Sequence, residues 1–156
     1  LGQCVSGDEA ALALRGFRTL PVRMARHEQS ALRIAHWLKA HPLVDGVLHP
    51  ALPDCPGHDI WKRDFTGSSG LFGVVLNTGS RADAPLFFDD LRHFGIGFSW
   101  GGYESLAIPT SPEKLRKLAG FRPAGLSLRL SIGLEDPDDL IADLAAALER
   151  LGRQGR

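Results

Sequence analysis

At 156 residues, with 44% hydrophobic and 23% charged residues, the chain is long enough to bury a real core as one domain. Lys+Arg and Asp+Glu are equal at 18 each, which excludes the electrostatic footprint of a nucleic-acid or anionic-membrane binder, and no apolar run approaches the ~20 residues of a membrane span. Cys4 and Cys55, the only cysteines, exclude a disulfide scaffold or a multi-cysteine zinc site and point to a reducing, cytoplasmic setting. The chain starts with Leu and has no signal-peptide layout, so a piece of something longer is expected.

In chain order, SGDEAALALRG (residues 6–16) reads as a short helix capped by Ser6 or Asp8. A longer helix is expected over residues 20–41, with Thr19 as cap, Pro21 in the first turn and Pro42 beyond the end. Leu20, Met24, Ala31, Ile34, Ala35 and Leu38 form its apolar stripe. Residues 43–49 read as a strand, and HPALPDCPGHD as an irregular loop. HDIWKRDF reads as one or two helical turns, residues 70–77 as a buried strand and residues 84–92 as a helix. FGIGFSW is a short strand running into a glycine pair, SLAIPT another, and SPEKLRKLAG a helical turn or two. In LSLRLSI (126–132), Leu126, Leu128, Leu130 and Ile132 alternate with Ser127, Arg129 and Ser131, the period of a strand with one buried face. Asp136 caps a final helix, Pro137 occupies its first position, and Leu140, Leu144, Leu148 and Leu151 repeat on one face. Interleaved but unequal helices and strands imply an α+β fold: a small sheet with helices packed on one side.

Few residues carry chemistry on their own. The six histidines fit no zinc template; His49 and His58 flank a loop with Cys55, and we read them as loop or surface residues. TGSSG lacks the Gly-Lys-Ser/Thr ending of a phosphate loop and leads into a strand rather than a helix. In FSWGGYES, Ser99 and Trp100 precede Gly101 and Gly102; this is either a tight turn with a core Trp or a place where backbone and indole approach a ligand. Arg129 is either a solvated or paired arginine or a carboxylate clamp, since its planar fork matches a carboxylate and a mid-strand position is a rigid support.

RGFRTLPVRMARHEQSALRIAHWL, HPALP, GHDIWKRDFTGSSGLF, SWGGYESL and LRLSIGLEDPDDLIADL together resemble the C-terminal part of the cystathionine β-lyases, in the Cys/Met-metabolism group of pyridoxal-phosphate enzymes of fold type I. The resemblance covers nearly the whole chain. It implies a mostly antiparallel small domain at residues 42–156, with residues 1–41 a helical connection from a large cofactor-binding domain. It also implies that Arg129 binds the substrate α-carboxylate and that Ser99 and Trp100 line the site beside it. Related γ-synthases and γ-lyases usually carry leucine after the serine, so Trp100 favours the β-lyase branch.

The implied reaction is β-elimination of L-cystathionine to homocysteine, pyruvate and ammonia, in methionine biosynthesis, with pyridoxal phosphate as the electron sink. The family binds that cofactor to a lysine in a Ser-x-Thr-Lys segment. Lys39, Lys62, Lys114 and Lys117 are not in one, so no catalytic residue and no metal ligand is expected in this chain, and the fragment is expected to be inert alone. The partners implied are an amino-acid substrate, the chain's own large domain and further copies in a tetramer, with no nucleic acid or membrane. The same domain of a γ-lyase, a γ-synthase or another cysteine-S-conjugate β-lyase is the first alternative; a non-catalytic amino-acid-binding or assembly module is the second.

Overall fold

A computed structural model describes residue 2, residues 4–115 and residues 122–154. Helix α1 (Gly7–Phe17) begins at Ser6, whose hydroxyl accepts from the Glu9 N–H while the Glu9 carboxylate accepts from the Ser6 N–H. Helix α2 (Leu20–Lys39) follows almost directly. Thr19 sits at its cap position but does not cap it; the hydroxyl donates to the Gly16 carbonyl and accepts from Arg23. Ala31, Ile34, Ala35 and Leu38 are buried as the stripe requires, whereas Leu20 and Met24 are exposed.

Five strands form one sheet. They are β1 (Val44–Leu48), β2 (Leu71–Leu76), β3 (Gly95–Ile96), β4 (Leu106–Thr110) and β5 (Ser127–Ser131), in spatial order β1-β2-β5-β4-β3. All neighbours are antiparallel except β3 and β4, which run parallel. Short helices α3 (His58–Asp64), α4 (Ala84–Phe88) and α5 (Pro112–Leu115) fill the connections, and α6 (Pro137–Gln154) closes the domain. Residues 116–121, the rest of the helical turn expected after Ser111, lie outside the described residues.

Helix α2 packs on β1, and α6 packs on both α2 and α4. The core lies between these helices and one face of the sheet. Leu126, Leu128, Leu130 and Ile132 alternate into it from β5 and its flanks, Phe72, Val74 and Leu76 from β2, and Leu140, Leu144, Leu148 and Leu151 from α6. Each such side chain, fully buried, contributes about 1.5–3 kcal/mol of hydrophobic stabilisation. Helix α4 is shorter than the expected 84–92. Beyond Phe88 the Arg92 and His93 N–H groups turn to the Asp143 carboxylate of α6, at 2.8–3.1 Å, instead of continuing helical bonds.

Candidate functional site

The second face of the sheet carries the residues of interest. Register places Leu48, Gly73, Arg129 and Ile108 side by side across four strands. Gly73 has no side chain, and a Cβ there would meet Leu48 at 3.4–3.5 Å, so Leu48, itself 38% exposed, leans over the strand next to Arg129. The neighbouring rows are Val75–Ser127–Thr110 and Leu71–Ser131–Leu106. Arg129 therefore rises between two buried serines, Ser127 at 4% and Ser131 at 2% exposure.

The segment after β3 folds over this row. Arg129 Nη2 donates to the Phe98 carbonyl at 2.7 Å and reaches those of Ser99 at 3.2 Å and Gly97 at 3.4 Å. Its Nε and Nη1 have no protein acceptor among the described residues. On the central strand of the sheet, half-buried and tied by one nitrogen to backbone, the guanidinium is held in place with donors remaining.

The same segment is pinned along its length. The Gly101 N–H donates to Ser131 Oγ at 3.2 Å, and Gly101 adopts φ +77°, a left-handed conformation natural to glycine. The Leu134 N–H donates to the Tyr103 carbonyl at 2.8 Å. Ser105 donates its N–H and hydroxyl to the two Glu135 oxygens, each at 2.7 Å, and accepts from the Gly133 N–H at 2.8 Å. The β5 strand and the turn after it thus hold the Ser99–Trp100 segment from beneath.

Of the three site residues expected from sequence, the structure brings the Ser99 backbone against Arg129, while the Ser99 side chain is exposed. Trp100 is 63% exposed and so is not a core tryptophan; the tight-turn alternative fails in that respect. Ser131, Glu135, Ser105 and Gly133 were not anticipated as support for the segment. The small serines flanking Arg129 were the available signal, but their partners lie some 30 residues away in sequence.

The histidine–cysteine loop serves itself. His49 Nδ1 accepts from the Ala51 N–H at 3.2 Å, and His58 Nδ1 bonds the Pro50 carbonyl at 2.8 Å. Burial pushes the fully buried His49 imidazole below its ordinary pKa, and burial pushes the Cys55 thiol up. Among the described residues no group of His, Cys, Asp and Glu could hold a metal ion, and no helix is long and apolar enough to cross a membrane.

The lysines bear on a cofactor. A lysine that forms a Schiff base is activated by desolvation or a neighbouring cation. Lys39 is exposed and paired to Asp54 at 2.5 Å, and Lys62 and Lys114 are exposed; none offers a buried amine. The described residues therefore do not fit attachment of pyridoxal phosphate, whereas Arg129 fits a carboxylate.

Comparison with known proteins gives the family. A family model described as Cys/Met metabolism PLP-dependent enzyme matches residues 1–149. A cystathionine beta-lyase of Salmonella typhimurium is 49% identical over 97% of this chain and 39% of its own length. An L-alanine/L-glutamate racemase of Wolbachia pipientis is 42% identical over 96% of this chain and 38% of its own. The crystal structure of cystathionine gamma synthase from Xanthomonas oryzae, in complex with aminoacrylate and cysteine, superimposes with a TM-score of 0.81 at 37% identity, covering 93% of this chain and 38% of that one. The chain thus spans under two-fifths of the length of the curated relatives it matches. With a family model matched from its first residue to residue 149, the chain belongs to the Cys/Met metabolism family of PLP-dependent enzymes.

Proposed function

We propose that this chain is the C-terminal, substrate-carboxylate-binding domain of a cystathionine β-lyase, with residues 42–156 the small domain and residues 1–41 the helical connection to a cofactor-binding domain. Leu12, Leu14, Phe17 and Val22 on α1 and the start of α2 support that division, since they stay exposed among the described residues. The observation that carries the reading is the mid-strand Arg129, tied by Nη2 to the carbonyls of residues 97–99 while Nε and Nη1 stay without a protein acceptor among the described residues.

Arg129 binds the α-carboxylate of the substrate, and Ser99 and Trp100 line the site beside it. Fixing the carboxylate at a rigid strand sets the direction of the Cα–H bond, which is catalysis by positioning. The amine and the cofactor phosphate are held by polypeptide outside this chain, in a tetrameric cytoplasmic enzyme, so the fragment alone is inert.

The γ-synthase neighbour favours a second reading, the same domain in a γ-lyase or γ-synthase. Products decide. Full-length enzyme given L-cystathionine should release pyruvate with homocysteine. Release of 2-oxobutyrate with cysteine would assign the γ-branch, and interconversion of amino-acid enantiomers without either product would assign a racemase.

A further inference from the structure

The recess beside Arg129 has a one-sided charge. Its volume is about 580 Å³, within the range of small-molecule sites, and the described residues that line it include Arg81, Lys114 and Arg129 but no aspartate or glutamate. Thr110 and Ser111 add hydroxyls, and Phe98 supplies a wall. Arg81 is fixed at the rim, donating through Nη1 to the Pro109 carbonyl at 2.6 Å.

The nearby acids do not neutralise these cations. Asp83 Oδ2 accepts from the Ser80 N–H and hydroxyl, each at 2.7 Å. Glu113 makes no ion pair among the described residues, and the carboxylate partners found for Arg33, Lys39, Arg63, Arg150 and Arg153 have no counterpart for Arg81, Lys114 or Arg129. Three like charges lining one recess repel each other, and an anion bound among them relieves that repulsion.

We infer that Arg81 and Lys114 form a distal-carboxylate subsite, so that the site selects amino acids carrying a second carboxylate over those ending in an alkyl group. This rests on the reading of Arg129 as the α-carboxylate ligand; it adds the residues that recognise the other end. Arg81, held by Pro109, is the oriented donor. Lys114, on the short helix α5, is a mobile point charge. Both are solvent-accessible, so the selectivity is modest and falls with salt.

The test uses the full-length enzyme with its cofactor and a matched pair of ligands, L-2-aminoadipate and L-norleucine, which have the same carbon count but end in a carboxylate and a methyl group. Binding is followed by isothermal titration calorimetry. L-2-aminoadipate should bind about tenfold more tightly than L-norleucine at low salt. The double variant Arg81→Gln/Lys114→Gln should bring the ratio to about one without changing L-norleucine binding. Arg129→Gln should weaken both ligands equally. Equal affinities in the unaltered enzyme, no binding of either ligand, or a ratio that survives the double variant would overturn the subsite. If Arg129→Gln leaves L-norleucine binding intact while the double variant still abolishes the ratio, the Arg129 reading falls and the subsite stands.

Discussion

Gly133→Ala drives a methyl group into the backbone that carries the site segment. The new Cβ would lie 2.3 Å from the Tyr103 carbonyl oxygen and 2.6 Å from the Glu104 carbonyl carbon, with a Glu135 carboxylate oxygen at 2.5 Å. Carbon atoms in contact sit about 3.5–4.0 Å apart, so the overlap is roughly 1 Å against atoms that cannot rotate away. Residues 103–104 must move outward, loosening the Leu134 N–H bond to Tyr103 and the Ser105–Glu135 pair. Overpacking costs about 1–3 kcal/mol and the partial weakening of these hydrogen bonds about 1 kcal/mol in all, giving roughly 2–4 kcal/mol and a fall in Tm of roughly 5–15 °C. Gly102→Ala is the control in the same segment: its Cβ would meet no atom within 4 Å, so it should change stability by less than about 0.5 kcal/mol. Urea and thermal unfolding give the stabilities, and the Trp100 indole resonance reports the segment. Equal midpoints for the two variants, or a destabilised Gly133→Ala with an unmoved Trp100 resonance, would refute the close-approach argument.

The buried His49 should impart a pH dependence to stability. Its pKa is depressed in the fold by burial, so as pH falls below about 6.5 the unfolded chain takes up the proton first. Stability is full above that pH and declines as pH falls toward the folded-state pKa. His49→Asn keeps an acceptor for the Ala51 N–H and should flatten the slope between about pH 7 and pH 5; an unchanged slope would assign it to another group. Incubation with pyridoxal phosphate, reduction with borohydride and mapping of the lysines should give no site-selective adduct. Stoichiometric labelling of one lysine, Lys62 for example, would mean that this chain holds a cofactor site of its own.

Much of the fold was written in local pattern. The Leu140–Leu144–Leu148–Leu151 stripe and the period-two alternation through β5 place their residues in the core because each needs only its own backbone geometry to expose one apolar face. Where the expectation failed, a distant group had intervened. Helix α4 stops at Phe88 because the Asp143 carboxylate, more than 45 residues on, takes the next free N–H groups. β3 spans two residues because the carbonyls that follow it turn toward Arg129. Leu20 and Met24 share the α2 stripe but not its burial, since periodicity gives a face and not what covers it. At the site, Arg129 was conspicuous as a charge between small hydroxyls on a rigid strand, whereas the support from Ser131 and Glu135 depends on a tertiary contact no local pattern encodes.

The role of Arg129 is tested most directly by steady-state kinetics of full-length enzyme carrying Arg129→Ala, with L-cystathionine as substrate. Loss of a charged hydrogen-bonding partner costs about 1.5–3 kcal/mol, which predicts a strong rise in KM and a fall in kcat/KM of roughly tenfold to a hundredfold or more. Unchanged KM and kcat/KM in a folded variant would contradict the assignment of Arg129 as the carboxylate ligand.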